Sequence, residues 1–187
     1  FKLFFAAAFL AGTVALGQAG EALEAVLVKA GDNRAEIEAF ISKAEKTHSD
    51  LGQRAAEFLV EGMPERDLTS LNRQFLTENL DLAMKARKEF PWCAQLPEAL
   101  FFNEVLPYAS LDETRERWRP DFYKKCRAIV AKSSTATEAV QALNSKIFNL
   151  INVHYNTGRK QPNQSPAESI AQGRATCTGL SIILVDA

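Results

Sequence analysis

The sequence predicts a chain that is almost entirely α-helical, laid out as one helical region followed by the opening elements of a second domain. Three observations predict it. After Glu21, apolar residues recur at three- and four-residue steps. Helix starts are marked by capping-box patterns and stops by Gly or Pro. Past the first stretch, no apolar run has the roughly 20 residues needed to cross a bilayer. The length of 187 residues suits one ordinary domain, or a small domain plus part of another. A charged fraction of 24% with 12 Phe is not the composition of a disordered chain. A formal net charge of −1 argues against a general nucleic-acid binder, which needs a basic surface. The chain starts at Phe1 without Met and stops at Ala187 inside an apolar run, so it reads as a fragment cut at both ends.

Residues 1–19 read as a signal peptide. Lys2 supplies a basic start and Leu3 to Leu16 an apolar stretch of signal-peptide length. Gly17-Gln18-Ala19 supplies small residues at −3 and −1, which suits cleavage after Ala19, with Gly17 the next option. That places the protein outside the cytoplasm, in the periplasm or the extracellular space, with no membrane span left after processing.

Residues 21–131 form the expected helical region. The longest amphipathic run is Asn33 to Glu61, with Ile37, Phe40, Ile41, Ala44, Leu51, Ala55, Phe58 and Leu59 on one face. Asp32 is its expected cap and Gly62-Met63-Pro64 its stop. His48 falls on the same stripe and is expected to be partly buried and hydrogen-bonded. A second helix is expected from Ser70 to Glu89, with Lys85, Arg87 and Lys88 suiting the helix dipole and Pro91 ending it. A shorter one follows from Pro97 to Leu106. Another covers Asp112 to Ala131 and should kink at Pro120. The block Glu113-Thr114-Arg115-Glu116-Arg117 reads as a solvated face of mixed charge.

Residues 135–187 open the second domain. Thr135-Ala136-Thr137-Glu138 is a capping box for a helix to Val153, and His154 is expected at its end, satisfying terminal carbonyls. Residues 156–164 are a loop by composition. Ser165-Pro166-Ala167-Glu168 is a second capping box with Pro at the first helical position, and Gln172-Gly173 stops that helix. The run Leu180 to Val185 reads equally as a buried strand or a buried helix. No phosphate loop and no metal-ligand spacing is present in the pattern.

An exported chain favours paired cysteines, and this one has three. Cys93 and Cys126 read as a disulfide or as two buried thiols. Cys177 stands apart. It follows a helix-stopping Gly173 and precedes a possible helix. A thiol at a helix N-terminus is favoured as thiolate, the nucleophilic form, and the adjacent N–H groups suit an oxyanion on an attacked carbonyl. Ala175 and Gly179 leave room for a substrate backbone. Gln161, Gln164 and Gln172 are oxyanion donors by type, with no spacing to choose among them.

The segment Ser165-Pro166-Ala167-Glu168-Ser169-Ile170-Ala171-Gln172-Gly173-Arg174-Ala175-Thr176-Cys177-Thr178-Gly179-Leu180-Ser181 resembles the nucleophile segment of transglutaminase-like proteins. Upstream, Phe101-Phe102-Asn103-Glu104-Val105-Leu106-Pro107-Tyr108, Asp112-Glu113 and Trp118-Arg119 are similar to the N-terminal region of secreted or periplasmic bacterial members. The likeness spans about Pro97 to Ala187. One departure is that the glycine lies four residues before Cys177, with Ala175 in the nearer position. The resemblance implies an α+β fold, a transglutaminase-like (papain-like) core truncated soon after its nucleophile. It implies that Cys177 attacks an amide or peptide carbonyl of a peptide or protein substrate and forms a thioester, which water or an amine resolves. A His and an Asp or Asn would follow Cys177. The chain stops ten residues later, so the fragment itself is expected to be inactive. No cofactor or metal is implied. The competing reading is a non-catalytic exported helical protein that binds or assembles with a partner, with or without a degenerate core of this type.

Overall fold

A computed structural model describes residues 20–158 and 164–187. The expected signal peptide at 1–19 lies outside the described residues. The chain divides into two compact units, one up to Thr77 and one from Glu78 onward.

The first unit holds α1 (20–29), a 3-10 turn at Gly31–Asn33, α2 (Arg34–Glu61), α3 (Glu65–Leu68) and the start of α4 (Arg73–Glu89). Its long helix forms where the amphipathic stripe predicts, but not as one straight rod. Ser49 has φ 57° and ψ −151°, far outside helical space, and breaks α2 in two. The break re-phases the stripe. Ile37, Phe40 and Ala44 are buried before it, and Gly52, Ala55, Ala56, Leu59 and Val60 after it. Phe58, expected on the inner face, is 36% exposed. The expected Asp32 cap is also displaced. Asn33 is the N-cap residue, and its side chain instead donates to the carbonyls of Leu68 (2.7 Å) and Leu71 (2.9 Å), tying the α3 end to the start of α2.

The second unit continues from α4 through α5 (Pro91–Ala94), α6 (Glu98–Leu100), a π turn at Phe101–Val105, α7 (Arg119–Val130), α8 (Ala136–Ile151), β1 (His154–Tyr155), α9 (Pro166–Gln172), β2 (Arg174–Ala175) and α10 (Cys177–Asp186). Its core is built on four-residue steps. Phe122, Cys126 and Val130 of α7 meet Ala139, Leu143, Ile147 and Ile151 of α8, joined by Trp118, Ala175 and Ile183. Such i, i+4 ridges are what lets two helices pack side by side.

Four expectations are corrected here. The α+β papain-like core is not present among the described residues: the sheet is a single parallel pair of two-residue strands, His154 opposite Arg174 and Tyr155 opposite Ala175. The unit is otherwise helical. Pro120 does not kink a helix over 112–131. It sits in the first turn of α7, where its missing N–H costs nothing, and 111–118 is irregular. The block Glu113 to Arg117 is not a solvated face. Glu113 is buried and its carboxylate accepts from the N–H groups of Ser110 and Leu111, both at 2.8 Å. Glu116 accepts from Ala167 N–H and Arg117 pairs with Glu78. His154 does not cap α8. Asn152 ends that helix in the left-handed region at φ 54°, and His154 N–H pairs with the Gly173 carbonyl in the sheet. The ambiguous run at 180–185 is helix.

Candidate functional site

The structure places Cys177 at the first residue of α10, with its side chain exposed. Everything leading to it is locally determined. Ser165 accepts from Glu168 N–H, Glu168 accepts from Ser165 N–H, and Pro166 fills the first turn, so the capping box forms as its residues dictate. Gly173 then adopts φ 60°, a left-handed turn that ends α9 and aims the chain into β2. β2 lies beside β1 through Asn156 N–H to Ala175 C=O at 2.8 Å. Thr176 closes the turn as the N-cap, its Oγ accepting from Gly179 N–H at 3.1 Å.

Gln164 holds this turn from behind. It is fully buried; its Oε1 accepts from Thr176 N–H at 3.0 Å and its Nε2 donates to the Arg174 carbonyl at 3.2 Å. Gly179 makes the approach possible, since a Cβ there would meet Ala175 Cβ at 3.1 Å and Gln164 Oε1 at 3.3 Å. Both ends of the Gln164 amide bond backbone, so the side chain positions the loop. Gln172 is exposed at the end of α9, and Gln161 lies outside the described residues. The donors that remain are those of the helix itself. Thr176 satisfies Gly179, and Leu180 N–H returns to the Thr176 carbonyl, whereas helix geometry leaves the N–H groups of Cys177 and Thr178 without intrahelical acceptors.

Cys93 and Cys126 are buried free thiols. Burial pushes Cys126 up to about 12 and also raises Cys93, where Arg87 opposes the shift. Both are sheltered from solvent, whereas Cys177 is exposed. His154 is exposed on β1, and its Nε2 lies 3.3 Å from Asn152 Oδ1. The sheet puts His154 in register with Arg174, three residues before Cys177, but the ring pairs with Asn152. His48 belongs to the first unit and is half-buried on α2, away from this constellation in the chain. No group of three or more His, Cys, Asp or Glu among the described residues is arranged to hold a metal ion.

Sequence reasoning anticipated the Ser165 capping box and the glycine turn; at Thr135 only half of the expected box forms, because Glu138 accepts from Ser134 N–H instead. It missed the anchoring role of Gln164, whose residue type was the one available signal. No family model, curated protein or solved structure matches this chain. The likeness of residues 165–181 to a transglutaminase-like nucleophile segment therefore rests on those residues alone.

Proposed function

We propose that Cys177 is a nucleophile of acyl-transfer chemistry, attacking an amide or peptide carbonyl of a peptide or protein substrate. The observation that carries this reading is an exposed thiol at the first position of a ten-residue helix, on a turn anchored by a buried glutamine. The thiolate adds to the carbonyl carbon, and the amine leaves with a proton as the thioester forms. Water then releases the acid, or a second amine takes the acyl group. The reading gives the oxyanion to the backbone N–H groups of Cys177 and Thr178, as donors of this kind stabilise developing charge. The thiol proton goes to a histidine oriented by an aspartate or asparagine, and the reading assigns neither role to a residue of this chain.

The test uses an activated acyl donor, p-nitrophenyl acetate, with peptide mapping of the product. Cys177 should acquire a hydroxylamine-labile acyl group at least about tenfold faster than N-acetylcysteine at the same pH, a gain of about 1.4 kcal/mol in the transition state. Gln164→Ala should bring the rate back toward that of the free thiol while Cys177 stays exposed. Acylation no faster than N-acetylcysteine, or acylation falling on other residues, would sink the proposal.

A further inference from the structure

The second unit carries a cavity of about 640 Å³, partly open to solvent, whose wall is drawn entirely from residues 82–187. That volume lies within the range of small-molecule sites, roughly 300–1,000 Å³. Cys177 itself is not in its wall, although the neighbouring Thr178 is. Its lining includes four aromatic side chains. Phe90 and Trp92 stack with centroids 5.3 Å apart and planes 13° apart, and Trp118 and Tyr123 contribute two further rings.

The polar groups in this wall are unevenly satisfied. Ser110 Oγ donates to Asp186 Oδ1 at 2.9 Å, but Asp186 Oδ2 is buried with no hydrogen-bond partner among the described residues. The indole N–H of Trp92 is likewise buried without an acceptor. Buried polar atoms are nearly always paired, by protein, water or ligand, because leaving one unpaired forfeits its solvation. Two such atoms on residues that line one cavity point to a molecule that occupies it.

The charges in the wall bear on the charge of that molecule. Glu104 and Asp186 are balanced by Arg119 and Arg127. Both guanidinium groups are already engaged. Arg119 donates to Asn79 Oδ1 and to the Pro107 carbonyl, each at 2.6 Å, and Arg127 pairs with Glu89. With two acidic and two basic side chains the wall carries no net charge, so it selects neither an anionic nor a cationic ligand.

We propose that this cavity binds an uncharged, largely apolar small molecule whose hydrogen-bond donor is received by Asp186 Oδ2. The probe is N-phenyl-1-naphthylamine, an uncharged two-ring-system fluorophore with one N–H. Its competitor is 1-benzylnaphthalene, in which a CH₂ replaces that N–H.

Above pH 8, where Asp186 is ionised and its Oδ2 can only accept, the fluorophore should bind saturably at one site per chain. 1-Benzylnaphthalene should compete at least about tenfold more weakly, the loss expected when a buried acceptor is left unpaired. Asp186→Leu should erase that difference. Val185→Trp, at a 68% exposed position in the wall, should weaken both ligands about tenfold or more without altering the far-ultraviolet circular dichroism. Absence of saturable binding, equal affinity of the two molecules for the wild-type chain, or binding that ignores Val185→Trp would each overturn the proposal. The first two readouts need no variant, so a failure of Asp186→Leu to fold does not remove the test.

Discussion

Asp186 is held at about 7, chiefly by burial. The hydroxyl of Ser110 pulls it down, the Glu113 carboxylate pushes it up, the Arg119 guanidinium pulls it down and Glu116 pushes it up. The sign of the linkage follows. The unfolded carboxyl ionises near 3.8, so between about pH 4 and pH 7 the native state holds a proton that the unfolded state releases. Stability therefore falls as pH rises through that window, and the loss is complete above the folded value. Asp186→Asn, which cannot ionise, should flatten this part of the profile. At pH 8 it should melt roughly 4 °C or more above the wild type, and at pH 4 the two should melt together. Parallel profiles for the two proteins would contradict the burial argument. Arg119, also buried, is held down at about 10 with Asp186 opposing, so it stays cationic across the same window.

The element whose sequence and shape diverge most is α2. Its apolar stripe is continuous through residue 48 and beyond on a helical wheel, and nothing in the spacing announces a break. The break arises because Ser49 takes a conformation essentially reserved for glycine, at a cost of about 1–3 kcal/mol. The packing that imposes it is visible at Gly52. A Cβ there would fall inside contact distance of the Ala44 carbonyl and of His48 Cβ, so the two halves of the helix approach through a glycine. Ser49→Gly should therefore stabilise the first unit by about 1 kcal/mol in chemical denaturation, and Gly52→Ala should destabilise it by more. A loss of stability in Ser49→Gly would show that the kink is not strained. The short helices behave differently. For α9 the capping box, Pro166 and Gly173 all lie within nine residues and specify both ends, and the structure reproduces them. Local signals were legible where the partners are local. They failed around Pro120 and in the Glu113 block, where Glu113 turns back onto the nearby Ser110 and Leu111 N–H groups while Glu116, Arg117 and Arg119 meet Ala167, Glu78 and Asn79, far off in sequence.

At the scale of the molecule, the three cysteines divide into one exposed thiol and two that line the second unit's cavity. With Ellman's reagent, one thiol per chain should react at once, and Cys177→Ser should abolish that fast phase. Cys93 and Cys126 should react at a rate set by the opening of the second unit, merging with unfolding as denaturant is added. Two fast thiols in the native protein would refute the burial of one of them.

The sequence by itself determined the helical character, nearly every helix end that a cap, proline or glycine marks, and the position of Cys177 after its turn. Those features depend on residues within four or five positions of one another. The tertiary structure decided the rest. It chose helix over strand for Leu180 to Val185 and reduced the sheet to a single parallel pair in place of the α+β core. It also turned Gln164 into an anchor and gathered Asp186, Arg119 and the aromatic rings around one cavity. These outcomes depend on which distant backbone groups need partners and which apolar faces meet, and neither is written in local spacing.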